Sequence, residues 1–381
     1  MIPDPRPVRA LLDPSHETFA AEAAAFAARE IAPRTPAATD AAARVEARAI
    51  LAALGAGRML EPIRRGDWRA CCLAREALAA ASPLADAVFA LQGLGTLPLL
   101  TTGSPTGARL AEEAIAGRAM SAFAMTETEA GSDVAALRTR ARKDGGDYVL
   151  DGAKSYISNA GIADFYVVFA STDPDARGKG ISAFLVPADA PGLRFVGPQV
   201  LSAPHPLGEL AFEGCRIPAA NLLGEEGRGF ALGLKTLDRM RATVGAAACG
   251  MAARGVYEAA AHARGRTQFG KPLAEFQLVQ EKIARMATEL DAARLLVYRA
   301  AWEADHGAER VTMEAAMAKS YATEAAQRIV DDAVQILGAR GVLADHPVDR
   351  LYRAVRALRI YEGTTEIQHL VIAGQVLQAG R

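Results

Sequence analysis

Several common chemistries are excluded by what this 381-residue sequence lacks. It has four cysteines, Cys71, Cys72, Cys215 and Cys249, and none forms a CxxC pair. Adjacent Cys71 and Cys72 cannot close an ordinary disulfide, so buried, reduced thiols in a cytoplasmic protein are the expectation. The six histidines are scattered, with no HExxH or Cys/His cluster, so no metal centre is expected. There is no P-loop, no GxSxG and no GxGxxG opening a βαβ unit; "GEEGRGF" lacks the glycine spacing of a dinucleotide fingerprint. A net charge of −1 gives no bulk attraction to nucleic acid or to an anionic membrane. The opening "MIPDPRPVRALLDPSHE" holds no apolar run of signal-peptide length. Residues 87–108 carry no charge, but Gln92, Gly93, Gly95 and Pro98 interrupt them. They predict a buried helix and loop rather than a membrane span.

What is present falls into three zones. Residues 1–122 are alanine-rich, with helical stretches broken at Pro33, Pro36, Pro62 and Pro83. Residues 123–228 hold short β-branched and aromatic runs such as "DFYVVFAST" and "ISAFLVPAD", separated by "DGGD" and "DAPG" turns. Residues 229–381 return to helical periodicity, and Val279, Ile283, Met286, Leu290, Ala293 and Val297 form a continuous stripe. The order predicts a mostly α, α+β fold by segregation: a helical domain, an antiparallel β-barrel-like domain and a four-helix bundle.

Four clusters carry the chemistry. "FAMTETEAGSDV" (123–134) sits where helices give way to strands, and its small and hydroxyl residues leave backbone amides open to a ligand. The plain alternative is a tight turn into a strand. In "KSYISNAG" (154–161), Tyr156 suits stacking on a flat ring, although an edge-strand aromatic is commoner. "GRTQFGKPLAEFQ" (265–277) places Arg266 on a loop before a helix expected to start at Pro272. The fourth joins "QILGARG" (335–341) to "RIYEGTTEIQ" (359–368). Here Leu351, Val355 and Leu358 predict a helix face ended by Gly363, with Thr365 as the next N-cap and Gln368 at its capping-box position. Read locally, Glu362 would only pair with Arg359 one turn back.

Together these strings resemble the acyl-CoA dehydrogenase family, from about Phe19 to the end of the sequence, most specifically in "RIYEGTTEIQ" and "RTQFGKPLAEFQLVQEKIARM". The resemblance implies FAD, an acyl-CoA substrate, electron-transfer flavoprotein as acceptor and a homotetramer of at least dimeric order. It implies Glu362 as the base that removes the α-proton, because Met240 fills the position some relatives use instead. It places Phe123, Met125, Thr126, Tyr156, Ile157 and Ser158 against the flavin. Tyr156 stands for a common tryptophan and Ser158 for a threonine. Ser132 would reach both FAD and CoA. Arg266, Gln268, Phe269, Phe276, Gln277, Gln335, Ile336, Gly338 and Ala339 would hold the FAD of the partner subunit, with Ala339 replacing a usual glycine. Thr364, Thr365 and Glu366 would face the dinucleotide's phosphates, Asp238 and Arg241 the CoA nucleotide, and Gly363 the substrate.

The loop "VLSAPHPLGELAFEGCRIP" lacks the family's arginine until Arg216, and Ala354 replaces a common aspartate. With no Lys or Arg between Arg75 and Arg109, a monocarboxylic, short, branched or cyclic acyl group is expected, and Gly93, Gly95 and Ala246 to Ala248 would leave it room. An oxidase or flavin monooxygenase on the same fold is the alternative; the monooxygenases generally lack the glutamate. DNA-binding relatives carry a basic C-terminal extension, which has no counterpart up to Arg381.

Overall fold

The computed structural model describes residues 4–378. Six helices come first: α1 (Pro14–Phe26), α2 (Asp40–Ala56), α3 (Glu61–Arg65), α4 (Trp68–Ala81), α5 (Pro83–Thr102) and α6 (Pro105–Ile115). Strands β1 (Ser121–Ala124), β2 (Arg140–Asp144), β3 (Asp147–Ser158), β4 (Phe165–Ser171), β5 (Ile181–Pro187), β6 (Leu193–Pro198) and β7 (Leu207–Pro218) follow. Helix α7 (Gly229–Gly265) leads to a two-strand hairpin, β8 (Thr267–Gln268) and β9 (Lys271–Pro272). Helices α8 (Gln277–Asp305), α9 (Thr312–Leu337), α10 (Pro347–Leu358) and α11 (Thr365–Gln378) complete the chain. Contacts divide it into two interleaved units. One is Thr35–Gly66 with Ala87–Met240; the other holds the residues up to Arg34, Asp67–Asp86 and Arg241 onward.

The first unit is built on the sheet, whose strand order is β1-β4-β2-β3-β7-β6 with β5 on β4. It is mixed rather than purely antiparallel, since β1 and β2 both pair with β4 in parallel. The run "FYVVFAS" explains β4. All seven residues are buried, with Phe165, Val167 and Phe169 in one apolar cluster and Tyr166, Val168 and Ala170 in the other. A strand covered on both faces needs no polar alternation. Buried Gln92 of α5 accepts from the Ser121 N–H and donates to the Ala114 and Ala119 carbonyls, which fixes where β1 begins. Pro83–Thr102 is the one helix among the described residues long and apolar enough to cross a membrane, and most of it is buried. Its glycines are spent on packing, because a Cβ on Gly93 would meet Met240 and one on Gly95 would meet Ser121. Ala246, Ala247 and Ala248 are likewise fully buried.

The helical unit buries the predicted stripe. Met286, Leu290, Ala293 and Val297 are core residues of α8, with Val279 and Ile283 at its margin. Its interior also holds charge. Arg75 donates to both oxygens of Asp86 (2.7 and 2.9 Å) and to Thr243 Oγ1 (2.9 Å). Glu76 takes Arg294 and Tyr298. His16, Asp67 and Asp305 approach one another, but His16 bonds Asp67 while Asp305 accepts from the Trp68 and Arg69 amides and the Arg69 side chain. These atoms are committed to helix starts and an ion pair. All four cysteines are buried free thiols, and burial pushes them up, Cys215 to about 11. They are structural, not reactive.

Removing one partner of a buried ion pair strands the other charge. Asp86→Ala should cost about 3–5 kcal/mol in urea unfolding of the full chain. The double replacement Arg75→Met/Asp86→Leu should recover most of that loss.

Candidate active site

In the sheet unit, two of the predicted segments meet. Buried Lys154 of β3 donates to the Met125 carbonyl (3.1 Å) and Glu127 (2.8 Å), while the Ser155 N–H donates to the Thr126 carbonyl (3.0 Å). Glu127 also accepts from the Arg138 and Thr139 amides. Burial would raise the Glu127 carboxyl, but the Lys154 charge and these hydrogen bonds outweigh it and hold the group below its ordinary value. Burial draws Lys154 down to about 8 against the pull of Glu127. The pair is ionised at neutral pH and pins the 125–127 loop to the strand.

Register slips between Lys154 and Ile157. At that bulge Tyr156 adopts a left-handed backbone (φ 59°) and stands 57% exposed. A non-glycine residue pays strain for that conformation, as functional positions often do. The side chains of Met125 and Ile157 are buried in the core, so only their backbone atoms are offered to a ligand. Phe123 is tilted against Phe169 at 4.8 Å. Ser158 is held by buried His205 at 2.7 Å, a histidine that burial lowers to about 4 and keeps neutral. Ser132 is exposed on the loop. Asp238, on the first part of α7, is half-buried and belongs to this unit.

In the helical unit, Glu362 occupies a strained seam. Leu351, Val355 and Leu358 are buried as the spacing predicts, but α10 ends at Leu358. Glu362 then takes φ 55° and Gly363 φ 93°, a double left-handed turn that a β-bearing residue enters at a cost. Three side chains hold it. Arg241 Nε donates to the Glu362 carbonyl (3.2 Å), Lys319 Nζ to the Gly363 carbonyl (2.7 Å), and the Gln368 amide to both (3.3 and 3.0 Å). Arg241 is thus a buried residue that clamps the seam.

Further details at the seam depart from the local reading. Arg359 pairs with Glu324, not Glu362, and Thr365 donates to the same Glu324 oxygen. The N-cap is Thr364, whose hydroxyl accepts from the Ile367 N–H, because α11 starts one residue earlier than predicted. Gln368 therefore serves the seam instead of a capping box. Glu366 is exposed at the start of α11.

The glutamate is left available. Its Oε2 is shielded from solvent with no hydrogen-bond partner among the described residues, and its N–H finds no backbone acceptor. Burial raises the carboxyl above its ordinary value, opposed by the charges of Arg75, Arg241 and Lys319. Lys319 itself is drawn down to about 8 by burial.

A third feature is a cavity of about 760 Å³ in the helical unit. Arg266, Gln268, Ile336, Gly338 and Ala339 line it, which brings five predicted residues together. Glu258, His262, Arg340 and His346 line it too, and no motif had pointed to them. Phe269, Phe276, Gln277 and Gln335 lie outside its lining. Pro272 closes the β8–β9 hairpin and caps only a short 3₁₀ turn, Leu273–Glu275; the long helix α8 starts at Gln277. The hairpin turn is Phe269-Gly270, both left-handed, a geometry that suits the strand twist but strains a phenylalanine. Phe269 is 95% exposed at its tip.

Comparison with known proteins agrees with this arrangement. Residues 122–215 match the acyl-CoA dehydrogenase middle domain and residues 227–377 the acyl-CoA dehydrogenase C-terminal domain. The probable acyl-CoA dehydrogenase FadE25 of Mycobacterium tuberculosis is 38% identical over 377 residues, 96% of each chain. The cyclohexane-1-carbonyl-CoA dehydrogenase of Geobacter metallireducens is 39% identical over 310 residues, 81% of each. Among solved structures, a glutaryl-CoA dehydrogenase from Mycobacterium smegmatis in complex with FADH2 superposes with TM-score 0.87 at 26% identity, covering 97% of this chain and 96% of that one. The chain belongs to the acyl-CoA dehydrogenase family, a family of oxidoreductases.

Because the Lys319 charge favours ionised Glu362, removing it must raise the carboxyl further. A base acts only when ionised, so activity climbs as pH rises through that value. In Lys319→Met the acid limb of kcat/KM should move to higher pH. An unmoved limb would mean that the lysine serves the backbone alone.

Proposed function

We propose that the protein catalyses FAD-dependent α,β-dehydrogenation of an acyl-CoA thioester, with Glu362 as the base. One observation carries this reading: a carboxylate oxygen buried without a partner, on a turn that three side chains hold in a strained shape. Burial makes such a carboxylate more basic, as removal of a weakly acidic α-proton demands. Glu362 Oε2 takes that proton, and the adjacent N–H is suited to donate to the thioester carbonyl as charge develops on it.

FAD, when bound, supplies the acceptor for the β-hydrogen as hydride. Three features fit that group. They are the exposed, strained Tyr156, the Met125–Glu127 loop pinned beside it, and the cavity lined by Arg266, Gln268 and Ile336. On the family pattern the cavity takes the dinucleotide of a partner subunit. Exposed Leu278, Leu295, Leu370 and Leu377 support assembly into a tetramer. Electron-transfer flavoprotein is the acceptor we infer, and a reducing cytoplasm suits the four free thiols.

The acyl group we infer is monocarboxylic and short, branched or cyclic. The basic side chain that precedes this segment, Arg75, is buried and already neutralised by Asp86, with Thr243 as a further acceptor. The relative acting on cyclohexane-1-carbonyl-CoA supports a cyclic group.

Anaerobic mixing with a panel of acyl-CoAs should bleach the flavin with butyryl-, isobutyryl- or cyclohexane-1-carbonyl-CoA and not with glutaryl-CoA. Glu362→Gln should keep its flavin yet bleach about a hundred- to ten-thousand-fold more slowly. Near-normal bleaching in that variant would remove Glu362 from the reaction.

A further inference from the structure

The cavity of the helical unit holds more cationic capacity than its two arginines supply. His262 and Arg266 lie one turn apart at the end of α7, and the Arg266 N–H still donates to the His262 carbonyl (2.9 Å), so both face the same way. Arg340 enters from the turn after α9, and His346 from the N-cap of α10. Glu258 is the one carboxylate in the lining, and Arg254 already holds it at 2.7 Å. Arg266 and Arg340 have no carboxylate partner among the described residues. Two uncompensated guanidinium groups facing one cavity call for an anion.

Their surroundings disfavour the charged form of both histidines. Burial lowers His262, and Arg340, Arg266 and His346 lower it further. Burial also lowers His346; Arg340 and Arg350 add to this, while Glu258 and Asp345 oppose it. His346 Nδ1 accepts from the Val348 N–H (3.2 Å), which leaves the proton on Nε2. A diphosphate entering among these groups reverses the balance, since two negative charges favour the imidazolium form of both rings. Leu273 and Ile336 supply an apolar wall for a flat base beside the phosphates.

We propose that His262 and His346 take up protons when the diphosphate of a dinucleotide enters this cavity, so that flavin affinity weakens as pH rises. The proposal rests on the FAD reading above and adds to it two residues and a direction. Each histidine shifted by one pH unit on binding makes affinity about tenfold tighter at the acid end.

The test uses the full chain stripped of flavin and titrated calorimetrically with FAD, near neutral pH, in two buffers of different ionisation enthalpy. Net proton uptake is expected, together with at least about tenfold tighter binding at pH 6 than at pH 8. In His262→Gln/His346→Asn, where asparagine can still cap α10, FAD should bind through Arg266 and Arg340 with uptake abolished and a flat pH profile. The single variant His262→Gln should lose part of the uptake. Tight binding without proton uptake, or equal uptake in the double variant, would overturn the role of the histidines and leave the FAD reading standing. No binding at any pH would instead remove the FAD reading itself.

Discussion

Two carbonyl groups just past the end of one helix fix the seam on which the candidate site depends. The Glu362 and Gly363 carbonyls point to Arg241, Lys319 and Gln368, and these contacts hold a glutamate where only glycine is comfortable. Backbone strain of this kind costs about 1–3 kcal/mol and persists only when its surroundings over-determine it. In return the side chain leaves the helix path, with its N–H unused by the backbone and one oxygen shielded. The same cations that hold the turn also restrain the carboxyl. Burial alone would drive it toward a neutral, useless acid, and Arg75, Arg241 and Lys319 keep ionisation within reach.

The sheet unit solves a similar problem by similar means. Its 125–127 loop has few backbone partners of its own, and a buried ion pair supplies them. Gln92 does the same for the start of β1. In both units polar side chains buried with their hydrogen bonds satisfied decide the position of irregular backbone, while apolar layers supply stability. Such networks specify one arrangement because an unmet partner inside the protein is expensive.

Much of this was legible beforehand. The order of helices and strands, the α8 stripe and the buried α10 face followed from periodicity. Where the reading failed, the cause lay in partners distant along the chain. Arg359 was assigned to Glu362 because it lies one turn away, yet Glu324, thirty-five positions earlier, captures it. Nothing along the chain shows that Gly93 faces Met240 or that Gly95 faces Ser121. Arg241 carried only a ligand assignment, and its hydrogen bond to the Glu362 carbonyl, across 121 positions, had no signal along the chain. His262 and His346 carried no motif, and their common cavity exists only after α7 and α10 pack together.

The sequence by itself determined the family and the element order, since these depend on local periodicity and on strings too specific to arise otherwise. Tertiary structure alone decided which charges face which. Electrostatic partners are chosen by distance in space, and packing brings Arg75, Arg241 and Lys319 around Glu362 from three helices that no pattern along the chain connects.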